Sequence, residues 1–226
     1  MSWFSTYIRS SVGMKQLMAI TGLVLLSFVI AHLLGNLLIF AGPGALNSYA
    51  AGLHDLGPVL WIARLGLLGA VLLHIAAAVR LVQMNRAARP VRYQVFKPRT
   101  TPYYARAMAW TGLIIAAFVV FHLLHLTFGA VYPEHFDRVD AEGRHDVYTM
   151  TVLGFQNVAV SGFYLIAVGL LSLHLAHGIP SLFQSLGLRH PKYSPAIAKV
   201  GFWLAVLLFA GYASIPTAVL LGWLTV

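Results

Sequence analysis

Residues 16–40 read QLMAITGLVLLSFVIAHLLGNLLIF, twenty-five positions without an Asp, Glu, Lys or Arg. At 1.5 Å of rise per residue, about 20 apolar residues cross a hydrocarbon core ~30 Å thick. The run is therefore read as a first transmembrane helix, closed by Gly42-Pro43-Gly44. Working outward, four more segments meet the same test: about 59–84, opened by Gly57-Pro58; about 107–131, closed by Pro133; about 156–183; and about 200–223. The start of the fourth span is open, because Val147–Phe155 also reads as an interfacial segment. Only 9% of the chain is charged and 59% is hydrophobic, against roughly 25% charged residues in a soluble domain. The fold class is all-α, an integral membrane bundle of five helices, with residues 1–226 forming one unit. No cleaved signal peptide is expected, since the first apolar run is too long for an h-region. No internal repeat or low-complexity tract is evident.

Charge sets the expected orientation. The N-terminal tail carries Arg9 and Lys15. The loop after the second span carries Arg80, Arg86, Arg89, Arg92, Lys97, Arg99 and Arg106, and the loop after the fourth carries Arg189, Lys192 and Lys199. Together these are twelve of the fifteen basic residues. All six acidic residues, Asp55, Glu134, Asp137, Asp140, Glu142 and Asp146, lie in the other two loops. Cytoplasmic loops hold the excess of Lys and Arg, so the N-terminus is expected in the cytoplasm and the C-terminus outside. The net charge of +9 is then topology, and no nucleic-acid partner is implied. Trp3, Trp61, Trp110, Trp203 and Trp223 sit mostly near span ends and read as interfacial anchors.

The chain has no cysteine and ten histidines, which excludes iron–sulfur clusters and covalently attached haem within it. Six histidines fall inside spans: His32, His74, His122, His125, His174 and His177. One histidine in hydrocarbon reads as interhelical glue, but four spans that each carry a deep one are harder to read that way. His32 lies ten residues before Gly42 and His122 eleven before Pro133, both ~15 Å from the outer end. His74 lies ~24 Å past Pro58, with His174 in the inner half of the fourth span. The spans thus offer an outer pair and an inner pair, as two haem irons each held by two histidines require. His122/His125 and His174/His177 are i, i+3 pairs on one helix face, and spacing does not choose within either. Gly22, Gly35, Gly66, Gly69, Gly112, Gly162 and Gly169 read chiefly as sites of close helix approach. Lys15, Arg106 and Arg80 lie where the propionates of an inner haem would emerge, although flanking charge accounts for them equally, and for Arg80 better.

The stretches Ser10-Ser11-Val12-Gly13-Met14-Lys15, Met18-Ala19-Ile20-Thr21-Gly22, Ala31-His32-Leu33-Leu34-Gly35-Asn36-Leu37-Leu38, Leu46-Asn47-Ser48-Tyr49, Leu73-His74, Phe121-His122 and His174-Leu175-Ala176-His177-Gly178 are together fairly specific. Through them the chain resembles, over nearly its whole length, the five-helix, single-subunit di-haem cytochrome b of succinate dehydrogenases and fumarate reductases. The resemblance implies two haem b groups, with His32 and His122 on the outer iron and His74 and His174 on the inner one. His125 and His177 are the alternates. It implies an iron–sulfur subunit and a flavoprotein subunit as partners, which interconvert succinate and fumarate as this chain cannot. It also implies menaquinone or ubiquinone as substrate, and the cytoplasmic membrane as location. Relatives place an ionisable residue near a quinone before the second span, where His54 and Asp55 stand here as candidate proton relays or plain loop residues. Some relatives carry a membrane carboxylate near the fourth-span ligand, and no Asp or Glu lies within a span here. The competing readings are a di-haem cytochrome b of a hydrogenase or formate dehydrogenase, and a transporter or channel using histidines as proton relays.

Overall fold

The computed structural model describes residues 2–88 and 103–226, apart from the side chains of Phe4 and Tyr104. Arg89, Arg92, Lys97 and Arg99 lie outside the described residues. In chain order the helices are α1 (Trp3–Arg9), α2 (Ser11–Asn36), α3 (Pro43–Asp55), α4 (Pro58–Ala87), α5 (Tyr103–Arg106), α6 (Met108–His122), α7 (Pro133–Phe136), α8 (Val147–Gln156), α9 (Val158–Ser185) and α10 (Ser194–Leu220). No strand occurs among the described residues, which hold only an isolated bridge between Val139 and His145.

Five segments are long and apolar enough to cross a membrane: Ser11–Ala41, Pro58–Ala87, Met108–Thr127, Val158–Ser185 and Ser194–Leu220. Their outward faces agree. Ile62, Leu65, Leu113, Ile166 and Leu207 are each 62–70% exposed, an apolar surface far too continuous to meet water. The chain is built as a multi-pass membrane protein.

Local chemistry explains the ends. The first span starts at Ser11, before the expected 16, because Ser10 caps it and accepts from Gly13 N–H at 3.1 Å. It ends in a tight 3-10 turn over Leu37–Ala41, and Gly42 at φ 96° turns the chain in a conformation costly for residues with a Cβ. The third span corrects the expected end at 131. It stops at Thr127 because Leu123–Thr127 form a π turn, with Phe128 N–H bonding Leu123 O at 2.8 Å, followed by Gly129 at φ 64°. The fourth begins where Asn157 breaks the chain and caps α9, accepting from Ala159 N–H and Val160 N–H. Val147–Gln156 thus forms a helix of its own, outside the span.

α9 is the central helix, packed against α2, α6 and α10, while α4 packs on α2. One end of the bundle is capped by α3, α7 and α8. The main buried cluster sits there, built from Ile39, Leu46, Phe118, Val152, Phe155, Tyr164, Ile215 and Val219 among others. The opposite end, carrying α1, α5 and the turn before α10, is the basic end. Among the described residues neither α2 with α6 nor α4 with α9 forms an extensive packing seam, as is also true of α4 with α6, α4 with α10 and α6 with α10.

Candidate functional site

Histidines bridge α2 to α6 and α4 to α9. His32 of α2 and His122 of α6 have ring centroids 5.8 Å apart. His74 of α4 and His174 of α9 have centroids 6.5 Å apart. With a metal–imidazole bond of ~2.1 Å and ~1.1 Å from nitrogen to ring centre, two opposed ligands of one metal would put their centroids ~6.4 Å apart. The observed spacings bracket that value, so the donor set fits a bis-imidazole metal at each pair.

Depth follows from the contacts. Thr21 Oγ1 lies 3.1 Å from His74 Nδ1, and Thr111 Oγ1 lies 3.3 Å from His174 Nδ1. His32 is eleven residues beyond Thr21 on α2, and His122 is eleven beyond Thr111 along α6. Eleven residues of helix rise ~16 Å, so one pair sits near the capped end and the other ~16 Å towards the basic end.

The matched contacts expose a repeat that inspection of the sequence missed. Met18, Ala19, Thr21, Gly22, Leu23, Phe28, Val29, His32, Leu33 and Leu34 recur ninety positions on as Met108, Ala109, Thr111, Gly112, Leu113, Phe118, Val119, His122, Leu123 and Leu124. The signal was visible in one comparison of the two spans. It is masked by the apolar substitutions between these positions and by their separation along the chain.

The tertiary packing distinguishes the paired histidines. His122 and His125 both turn Nδ1 towards the Tyr164 hydroxyl, at 3.3 and 2.9 Å. A phenol has one proton to donate, so it can donate to one ring and accept from the other. His125 is buried, and its Nε2 abuts Gly154 so closely that a Cβ there would stand 2.7 Å away. That nitrogen has a backbone in front of it and no room for a further group. His177 Nε2 lies 3.1 Å from Ser181 Oγ, one turn along its own helix. The histidines that face another span's histidine are thus His32, His122, His74 and His174. Tyr164, Thr21 and Thr111, which contact three of them, were not singled out by sequence reasoning.

The remaining candidates are scattered. His54 and Asp55 are exposed at the end of α3. Burial first, and then the nearby His54, hold the His145 imidazole below its usual range, so His54 belongs to the capped end. Lys15 is exposed on α2, and exposed Arg106 on α5 sets its guanidinium 5.5 Å from the Tyr103 ring centre. Of the glycines, Gly22 and Gly112 face the His74 and His174 rings, with an added Cβ at 3.4 and 3.6 Å from Cε1, while Gly66, Gly69 and Gly162 have open space beside them.

The stretch Leu46-Asn47-Ser48-Tyr49 builds the cap. Asn47, 1% exposed, donates to Asp146 Oδ1 at 2.9 Å and Asp140 Oδ2 at 3.2 Å, and accepts from Tyr148 N–H at 3.0 Å. Arg144 bonds Ser48 Oγ at 2.6 Å and pairs with Asp140 at 2.7 Å. The hydroxyl end of Tyr49 abuts Gly35, where a Cβ would stand 2.6 Å from the phenol.

Comparison with protein-family models, with curated proteins and with solved structures found no match for this chain. The class defined by the fold is a multi-pass helical membrane protein, and its candidate site is two levels of facing histidines.

Proposed function

We propose that this chain is the haem b-bearing membrane anchor of a succinate:quinone oxidoreductase, passing electrons between an iron–sulfur subunit and membrane quinone. One observation carries the haem reading: two histidine pairs, ~16 Å apart in depth, each bring together rings from two different spans at a spacing that suits a metal between them. A transporter's proton relay has no need of opposed rings spaced for a metal between them. The assignment to this enzyme class rests on the sequence stretches named above.

In this reading His32 and His122 hold the haem near the capped end, and His74 and His174 the one towards the basic end. When bound, the two groups supply one-electron carriers at two depths. The chain's own residues hold them and exclude water with the apolar spans. The basic end, with Arg9, Lys15, Arg106 and Lys192, faces the cytoplasm and receives the iron–sulfur and flavoprotein subunits. Lys15 and Arg106 stand on that side to meet propionates by charge-assisted hydrogen bonds. The capped end faces outward, and there His54 and Asp55 are the exposed groups able to exchange protons for quinone. Single facing histidines on four spans favour this reading over a hydrogenase or formate dehydrogenase cytochrome, where two ligands often share a helix.

The test is purification of the assembled complex from its membrane, with haem extraction and a redox titration. Two haem b per chain, together with co-purifying flavin and iron–sulfur subunits, is the expected outcome. A colourless protein overturns the haem reading, and a coloured one bound to a different catalytic subunit overturns the enzyme class.

A further inference from the structure

The hydroxyls of Thr21 and Thr111 have a directional consequence. Each hydroxyl owns one proton. Thr21 Oγ1 donates to the Leu17 carbonyl at 2.8 Å, one turn back on α2, with the Met18 carbonyl at 3.2 Å. Thr111 Oγ1 donates to the Met108 carbonyl at 3.1 Å. With its proton committed to the backbone, each oxygen can only accept from the imidazole nitrogen beside it. Both threonines are buried, at 5% and 4% exposure, so no bulk water competes for the contact.

We propose that Thr21 and Thr111 are positioning residues that lock His74 and His174 as Nδ1–H tautomers, leaving each Nε2 lone pair to ligate the same iron and making both ligands more basic. The proposal rests on the two-haem reading above and deepens it. A second-shell acceptor on a ligating imidazole fixes ring orientation and raises ligand basicity. A more basic ligand favours the ferric over the ferrous state, so the pair of hydroxyls lowers the potential of the haem towards the basic end. The arrangement at the other level differs. His122 shares the Tyr164 hydroxyl with His125, and no side-chain hydrogen bond reaches His32 among the described residues. The recurrence of Thr-Gly at positions 21–22 and 111–112, each against a histidine of another span, is the geometry that distinguishes this level.

The experiment uses the intact complex carrying Thr21→Val, Thr111→Val or both, with Thr21→Ser and Thr111→Ser as controls and His74→Ala to assign which haem is which. Haem content, optical redox titration and the electron paramagnetic resonance signals of the ferric haems are read in each. Each valine variant should retain the haem near the capped end unchanged. The other haem should shift upward in midpoint, with a reduced-to-oxidised ratio at fixed potential raised about threefold to tenfold, the upper figure being ~59 mV for one electron. Its ferric signal should move, the double variant should shift furthest, and serine should restore the wild-type values. If valine removes that haem and serine returns it at the wild-type potential, the proposal also stands. Unchanged potential and signal with both haems present overturns it, as does haem loss in valine and serine variants alike, which would mean packing only. A wild-type complex without haem fails the functional reading itself.

Discussion

A histidine in hydrocarbon has two ring nitrogens to satisfy, and the partners found for each separate the six membrane histidines into roles. His125 spends Nδ1 on Tyr164 and presses Nε2 against Gly154. His177 spends Nε2 on Ser181. His74 and His174 spend Nδ1 on threonines and face each other. His74→Ala should therefore remove one haem and leave the other, whereas His177→Ala should leave both, as read by haem extraction and redox titration. A haem lost on His177→Ala and kept on His174→Ala would reverse the α9 assignment. Gly154→Ala tests the packing of His125. The new Cβ meets a buried ring with nowhere to retreat, and overpacking of this kind costs about 1–3 kcal/mol, measurable as a lower thermal midpoint in detergent.

At the scale of elements, the cap shows how a soluble excursion is tied to a bundle. The segment between α7 and α8 has little apolar surface to bury, so hydrogen bonds to α3 hold it. Asn47→Ala would leave the Tyr148 N–H without its acceptor and take one donor each from Asp140 and Asp146. Each buried polar group left unsatisfied costs about 1–3 kcal/mol. Amide exchange over residues 140–150 should accelerate while exchange in the spans is unchanged. The same cap is acid-sensitive. The Arg144 guanidinium, followed by hydrogen bonds from the backbone and Asn47, lowers the Asp140 carboxyl from 3.8 to about 2. Burial raises Asp146, but hydrogen bonds from Thr149 and Asn47 outweigh it, so its net shift is also downward. A depressed folded-state pKa stabilises the fold above the unfolded pKa, and that contribution is lost as pH falls through the folded value. Docking of the cap should thus be constant above about pH 4 and weaken between about pH 4 and pH 2, followed by limited proteolysis of the loop. The Asp140→Asn variant should flatten that dependence.

For the whole molecule, the bundle is unevenly packed. Its main buried cluster lies at the capped end, and α9 packs against α2, α6 and α10 while α2 with α6 and α4 with α9 form no extensive seam. A group bound between those pairs would add contact between helices that form no extensive seam of their own, and a ligand that binds only the folded state stabilises it by mass action. Protein made under haem starvation should have a lower thermal midpoint and faster proteolysis than the haem-loaded form, and adding haem should reverse both. An apo form as stable as the loaded one would show that nothing binds there.

The primary structure by itself determined the five spans, the segregation of charge along the chain, and the two levels at which the membrane histidines fall, though not where the third span ends beyond His122. Each is local: a window of about 20 apolar residues decides insertion, and a fixed helical rise converts position into depth. Spacing left open which of His122 and His125, and of His174 and His177, meets a histidine from another span, and the resemblance only implied it; the tertiary packing brings His122 and His174 against such partners. It also decided which hydroxyls contact them and how Asn47 ties down the cap. Those outcomes depend on the rotation of each helix about its axis, which neighbours set. The partners come from segments 53 residues away for Thr21 and His74, and 63 for Thr111 and His174. The π turn at Leu123–Thr127 shifts His125 out of simple helical register, a displacement that no spacing rule along the chain contains.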